Sequence, residues 1–319
     1  MKLTSVFVRT LLLLGFPNSL RFAQADDVTL DFAYTSNHDG QVGVYHHNAD
    51  GERLLTERFK VAEAPSWAPN GEQIAFQAKV GEQFDIFVLN VGTGEFRQLT
   101  NSPENDFHPV WSPDGGTIAF WSNRSSNCWL WLIDVDGNNE RKFPVELSDI
   151  ASFSWSPDGK QTAFCTPSPL EKDLSKTDLF RVSLECDICL ADARGENSRK
   201  IASLANSVMS PSWSPDGRRL VFSQSSKPFT ITDFQIFVVN VDGSELQQLT
   251  TEPGQNLCPK WSPDGKTVVY YCNAIAQDKS PVIPRLYAIS PDGTKRAAIN
   301  VGEFGGYFPD FRQSVQTKR

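Results

Sequence analysis

Trp111-Ser112-Pro113-Asp114-Gly115 decides the fold, because it returns intact three more times, at Trp155, Trp213 and Trp261. A fifth copy reads Trp67-Ala68-Pro69-Asn70-Gly71, and successive Trp residues stand 44, 44, 58 and 48 positions apart. Pro is pre-set for the second position of a type I turn, Asp suits the third, and Gly completes the reversal. An apolar triplet begins three residues after the Gly, as in Ile74-Ala75-Phe76, Ile118-Ala119-Phe120, Leu220-Val221-Phe222 and Val268-Val269-Tyr270. Each copy therefore joins two antiparallel strands. A second turn recurs between the copies, at Asn48-Ala49-Asp50-Gly51, Asp134-Val135-Asp136-Gly137, Asp192-Ala193-Arg194-Gly195 and Asn240-Val241-Asp242-Gly243. Strands such as Ile86-Phe87-Val88-Leu89 come before this kind of turn, and Gln98-Leu99-Thr100 or Gln248-Leu249-Thr250 closes the unit. Four antiparallel strands in about 40–50 residues make one propeller blade.

The two ends of the repeat array complete each other. Val28 to Tyr34 matches a second strand with no Trp turn before it. Tyr307-Phe308-Pro309-Asp310-Phe311 matches a first strand, since Pro-x-aromatic also occurs at Pro65-Ser66-Trp67, Pro109-Val110-Trp111, Pro211-Ser212-Trp213 and Pro259-Lys260-Trp261. Pairing the two removes exposed sheet edges. The chain reads as an all-β, six-bladed propeller of four-stranded antiparallel blades, closed by pairing of its N- and C-terminal strands. The blades are expected at 28–58 plus 305–312, 60–101, 104–145, 148–203, 206–251 and 254–300, within a single domain over 26–319.

These repeats resemble the TolB-like propeller family of WD40-like, PD-type repeats, in the Trp-Ser-Pro-Asp-Gly turn, the apolar triplet and the Asp-Gly…Leu-Thr ending. In TolB an α/β domain precedes the propeller; here the leader runs almost directly into the first strand. The resemblance implies a cell-envelope binding scaffold. Similar propellers also occur beside peptidase domains and in sugar lyases, so fold alone does not supply the activity.

Residues 1–25 have the layout of a secretory signal peptide: Lys2 and Arg9, an apolar stretch from Leu11 to Phe16, and small residues at Ala23 and Ala25. The mature chain is expected to be exported, periplasmic or secreted, and no later run is apolar enough to span a membrane. With 38 acidic and 30 basic residues the net charge is −8, and no cationic block is available to displace counterions from phosphates, which excludes a general nucleic-acid binder. The expected partner is a protein or peptide of the cell envelope, taken by a monomeric propeller.

Both repeat turns share one rim, so the variable loops fall on the other, where binding residues tend to be placed. The loops Thr166–Phe180, Ser223–Thr232 and Asn273–Pro284 are the long ones. Asp106, His108, Trp121, Lys172, Lys176, Lys227, Phe229 and Lys279 are the candidate partner-binding residues of that rim and of the channel mouth, with Glu63, Asp149 and Asn256 on the segments entering other blades. An enzymatic alternative, a carbohydrate- or peptide-acting hydrolase or lyase, would use acidic residues such as Asp106 with His108. No nucleophile elbow, zinc helix or phosphate loop occurs, and no cofactor is implied.

Six cysteines in an exported chain invite disulfides. Cys258 and Cys272 flank the blade-six hairpin, and Cys165 and Cys186 stand at the base of the blade-four insertion; both pairs are candidate bridges. Cys186-Asp187-Ile188-Cys189 falls in a strand, where an offset of three sends side chains to opposite faces. The same alternation separates His46 from His47.

Overall fold

One hydroxyl closes each Trp-Ser-Pro-Asp-Gly turn on itself. Ser112 Oγ donates to Asp114 Oδ1 at 2.6 Å and accepts the Thr117 amide at 2.9 Å, while the same carboxylate oxygen takes the Gly116 amide at 3.0 Å. Ser156–Asp158, Ser214–Asp216 and Ser262–Asp264 repeat the arrangement. The serine bond holds the carboxyls of Asp114, Asp158 and Asp216 below the usual aspartate range. In the fifth copy Ala68 has no hydroxyl, and Asn70 Oδ1 keeps only the Glu72 amide, at 2.9 Å.

The computed structural model of the chain describes residues 30–38, 40–125, 127–145, 153–167, 186–204, 206–226, 233–273, 284–301 and 305–313. The expected signal segment 1–25, Asp149, Lys172, Lys176, Lys227, Phe229 and Lys279 lie outside the described residues. Twenty-four strands occur among those described, and no helix.

The strands fall into six groups of four. Blade one takes β1 (Phe32–His38), β2 (Gln41–Asn48) and β3 (Gly51–Leu54). Blade two is β4 (Ala62–Trp67), β5 (Gln73–Val80), β6 (Gln83–Asn90) and β7 (Phe96–Gln98). Blade three is β8 (Asp106–Trp111), β9 (Thr117–Ser125), β10 (Asn127–Asp134) and β11 (Arg141–Lys142). Blade four is β12 (Phe153–Trp155), β13 (Gln161–Pro167), β14 (Cys186–Asp192) and β15 (Arg199–Leu204). Blade five is β16 (Val208–Trp213), β17 (Arg219–Ser225), β18 (Phe234–Asn240) and β19 (Gln247–Gln248). Blade six is β20 (Gln255–Trp261), β21 (Val268–Asn273), β22 (Arg285–Ile289) and β23 (Arg296–Ile299), and β24 (Tyr307–Phe311) returns to blade one as its first strand. A single parallel bridge, Phe234 to Gln255, links blades five and six.

Within a blade, neighbours pair antiparallel, and the Leu-Thr ending extends the ladder past the short outer strand. Thr100 Oγ1 accepts the Ile86 amide at 2.9 Å, Thr250 the Ile236 amide at 2.9 Å, and Thr56 the Val44 amide at 3.0 Å. First strands of successive blades contact each other around the axis, from β24 to β4 to β8 and from β12 through β16 and β20 back to β24.

The core is a set of inter-blade layers. Among the described residues there are six apolar clusters, one for each junction, and each draws on two adjacent blades. Trp111, for example, packs with Ala75, Ile86, Val88 and Leu99 of blade two. The outer turns press so closely that a Cβ on Gly243, which has φ of 88°, would come within 2.3 Å of the Ile201 carbonyl oxygen of blade four. Only glycine fits there.

At the seam, Phe32 pairs with Phe311, Ala33 with Asp310 and Thr35 with Tyr307. Arg312 then clamps two blades. Its amide bonds Asp31 O at 3.0 Å, Nη1 lies 3.4 Å from Asp31 Oδ2, Nε donates to Gly71 O at 2.8 Å, and the guanidinium sits 5.3 Å from the Trp67 ring centroid. Asp31 also meets His46 Nε2 at 2.6 Å, whereas His47 packs on Phe32, so the two histidines do take opposite faces.

Several expectations need correction. β9 runs to Ser125 and β10 starts at Asn127, so blade three's middle strands extend well past the apolar triplet. Trp121 is not a rim residue: at 2% exposed it packs with Leu130, Phe143, Phe153 and Phe164 between blades three and four. All six cysteines are thiols. Cys258 and Cys272 lie on opposite faces of blade six, in the blade six–one and blade five–six layers, because a bulge between Leu257 and Lys260 turns Cys258 over. Cys165 opposes Ile188 while Cys186 opposes Pro167, which leaves the second pair diagonal on one face instead of opposite. Diagonal neighbours stand about 7–8 Å apart, beyond ordinary disulfide reach.

Phe311 is 4% exposed and rests 6.0 Å from the Phe32 ring centroid. Phe311→Ala is expected to lower the unfolding free energy by about 3–5 kcal/mol. Ser112→Ala, which removes both turn bonds of the hydroxyl, should cost about 1–2 kcal/mol. Denaturant midpoints of the two variants measure the contrast.

Candidate functional site

The residue before each inner-strand proline sits in the left-handed region. Ala64, His108, Ser210, Cys258 and Phe308 have φ of 53°, 50°, 56°, 51° and 51°, and none is glycine. Such a conformation costs on the order of 1–3 kcal/mol unless its surroundings hold it. Here the preceding blade does so: Thr35 Oγ1 accepts the Ala64 amide at 3.0 Å, and Gln77 Oε1 accepts the His108 amide at 2.8 Å. The twist breaks the register between Glu63 and Ser66, between Phe107 and Val110, and at the matching places in blades five and six. It re-aims one side chain per blade at the inner strands.

Two of those side chains meet across a third blade. His108 of blade three and Phe308 of blade one pack edge to face with ring centroids 4.8 Å apart, over the small Ala64 between them. Tyr271 adds a ring 5.8 Å from Phe308. This aromatic contact joins the inner strands of blades one and three at the level of the bulges. On the far side Ser210 Oγ lies 3.4 Å from Cys258 Sγ.

Nearer the turns, Lys260 Nζ stands 3.6 Å from Asp310 Oδ1, and Asp310 Oδ2 accepts the Trp67 amide at 2.7 Å. Ser66 makes the equivalent bond to the Trp111 amide at 3.0 Å, so this position also stitches blade to blade. Burial raises the Asp310 carboxyl, with Lys260 opposing. Burial and then the Lys260 charge push the His108 imidazole down to about 4.

At the other end of the inner strands, Glu63, Phe107, Met209, Leu257 and Tyr307 occupy one repeat position in five blades, each half-buried. Four of the five are apolar or aromatic. Tyr307 Oη donates to Glu63 Oε1 at 3.2 Å, and Gln77 Nε2 donates to Glu63 Oε2 at 3.0 Å. Phe107 also packs on the blade three–four layer, and Leu257 and Tyr307 on the blade six–one layer, so among the described residues a single carboxylate stands in an apolar setting at this end of the inner strands.

Asp106 plays a different part from the one expected. It is fully buried, with Oδ2 2.7 Å from Arg124 Nη2, and Arg124 continues to Glu140 and lies over the Phe120 and Trp131 rings. It is a wall residue. His108, two residues on, is turned to the channel by the bulge, so the two do not form an acid–base pair. Asn256, at the matching place in blade six, is likewise buried and donates to Phe234 O at 3.0 Å. Among the described residues no three His, Cys, Asp or Glu side chains come together to hold a metal ion.

Sequence reading had placed Glu63 and His108 near the mouth but missed Gln77, Lys260, Tyr307 and Asp310. Their signal was available as fixed offsets from Pro-x-aromatic; the bulge that gives those offsets their meaning was not.

Comparison with known proteins places this geometry. The TolB β-propeller domain model, PD40, matches residues 25–186 and 180–303. The Tol-Pal system protein TolB of Thioalkalivibrio sulfidiphilus is 36% identical over 67 residues, a stretch covering 21% of this chain and 14% of that relative. The crystal structure of TolB from Acinetobacter baumannii superposes with a TM-score of 0.71 at 17% identity, over 90% of this chain and 67% of that one. The putative TolB from Agrobacterium tumefaciens gives 0.65 at 20% identity, over 88% and 91%. At these identities the superpositions speak for the fold. Among the described residues no helix is long and apolar enough to cross a membrane.

A neutral His108 has a pH signature. Below about 6.5 the unfolded chain binds a proton that folded His108 refuses until about 4, so this group's contribution to stability falls as pH drops through that window. Unfolding free energies from pH 7 to 4 should show the slope, and His108→Gln should flatten it. Asp106→Ala, which leaves Arg124 with Glu140 as its one paired carboxylate among the described residues, should cost about 3 kcal/mol in the same measurement at neutral pH.

Proposed function

Because the chain belongs to the TolB β-propeller domain family, we propose that it is an exported binding scaffold that takes a protein or peptide partner at the channel mouth and the loop-bearing rim around it. The observation that carries this reading is the half-buried ring of Phe107, Met209, Leu257 and Tyr307 with Glu63 at the inner ends of the blades. Concave, mostly apolar surfaces with a few placed polar groups are where proteins hold ligands. The closed array of sheets leaves little backbone freedom to lose on association, which favours tight capture by a preformed surface. The named relative belongs to a Tol–Pal system, and for this chain the corresponding partner is a cell-envelope protein.

The test is capture of partners from the exported fraction by the mature chain and by Met209→Asp. Met209 is half-buried and belongs to none of the six inter-blade clusters, so the charge it introduces falls on the mouth and spares the core. Loss of partners with an unchanged melting temperature is the expected result. Full retention of every partner by the folded variant refutes binding at the mouth.

A further inference from the structure

Glu63 is the only carboxylate in the mouth ring among the described residues, and its surroundings are poorly matched to its charge. Phe107, Met209, Leu257 and Tyr307 hold the same repeat position around it. Both of its oxygens accept hydrogen bonds, one from Tyr307 Oη and one from Gln77 Nε2. The direction of the Gln77 amide is set at its far end: its oxygen takes the His108 amide at 2.8 Å, which leaves the NH2 group for Glu63. Burial pushes the Glu63 carboxyl up from its usual range, against those two bonds.

Other acids of the inner wall and the seam have cations. Asp106 has Arg124, Asp310 has Lys260, Asp187 has Lys200, and Asp31 has Arg312. Among the described residues no Lys, Arg or His stands within ion-pair distance of Glu63. Asp85 also lacks one, but it is 3% exposed and closed in by Gln98 and Ser102. Glu63 is the half-buried case, not sealed as Asp85 is. A cation arriving there meets a desolvated carboxylate held by fixed donors, where a charge-assisted bond is stronger than in water.

Resting on the mouth-binding reading above, the geometry points to a partner that inserts an apolar peptide segment bearing one basic side chain, with the ammonium or guanidinium on Glu63 and the flanking apolar side chains on Phe107, Met209, Leu257 and Tyr307. The His108–Phe308 contact beneath sets the floor of the site. An acidic residue at the same place in the partner would be rejected by like charge, so the carboxylate selects as well as attracts.

Calorimetric titration of the full chain with three acetylated, amidated tripeptides, Phe-Lys-Phe, Phe-Gln-Phe and Phe-Glu-Phe, tests this. The lysine peptide should bind about tenfold more tightly than the glutamine peptide, the scale of one charge-assisted bond, and the glutamate peptide more weakly than either. Glu63→Gln, which retains a side chain able to bond Tyr307 and Gln77, should abolish the preference. Affinity for the lysine peptide should fall as the pH is lowered through the carboxylate range in the parent chain and stay level in Glu63→Gln. Tyr307→Phe, a second variant with the carboxylate in place, should keep the preference. Equal binding of the lysine and glutamine peptides overturns cation recognition but leaves the mouth as a binding surface. A preference that survives Glu63→Gln overturns the role of Glu63. If no peptide binds, the proposal fails; the broader reading fails only if Met209→Asp also keeps its partners.

Discussion

A circular array of twisted sheets has no free edge only when its last strand pairs with its first, and every other relation in this molecule depends on that one joint. β24 supplies blade one with its inner strand, and its side chains do more than complete a ladder. Phe311 enters the blade six–one layer, Asp310 accepts the Trp67 amide of blade two, and Arg312 bridges Asp31 to Gly71. Guanidinium groups cross other junctions too: Arg97 bonds Val135 O, Arg199 bonds Val241 O and Arg219 lies over the Trp261 ring. The C-terminal strand and the arginine that follows it carry contacts to three blades, which concentrates the cooperativity of the ring in a short segment.

Closure also sets what the interior can present. Inner strands packed around an axis have little room for side chains, and the left-handed residue before each inner proline is how this chain makes use of that room. The strain is supported by side chains of the preceding blade, Thr35 for Ala64 and Gln77 for His108. Each blade therefore helps to set the lumen-facing residue of the next. Variation at one repeat position, from alanine to histidine to phenylalanine, then shapes the channel without disturbing the turns or the layers between blades.

Two carboxylates near the same end of the inner strands show how burial and pairing divide structural from recognition roles. Asp106 is sealed and neutralised by Arg124, so its charge is spent within the wall. Glu63 is half-buried, hydrogen-bonded by neutral donors and without a described cation. Residue type alone does not separate them, and both lie within five residues of a Trp turn. The separation comes from which face of a bulged strand each one takes.

The repeat count, the order of strands, both turn types and the pairing of the chain ends were legible in sequence, because Trp-Ser-Pro-Asp-Gly is a local motif whose shape follows from its own residues. The alternation that puts His46 and His47 on opposite faces was legible for the same reason. Trp121 and Asp106 were misplaced because strand length past the apolar triplet, and the arginine that draws a carboxylate inward, are matters of packing between blades. Cys258 and Cys272 are parted by a bulge that no periodicity of two reveals, and Cys165 and Cys186 by a register that sets them diagonally. Local chemistry thus determined the blades and their closure. The contact of His108 with Phe308 and the apolar setting of Glu63 exist only once the inner strands crowd one axis and five of them twist to fit.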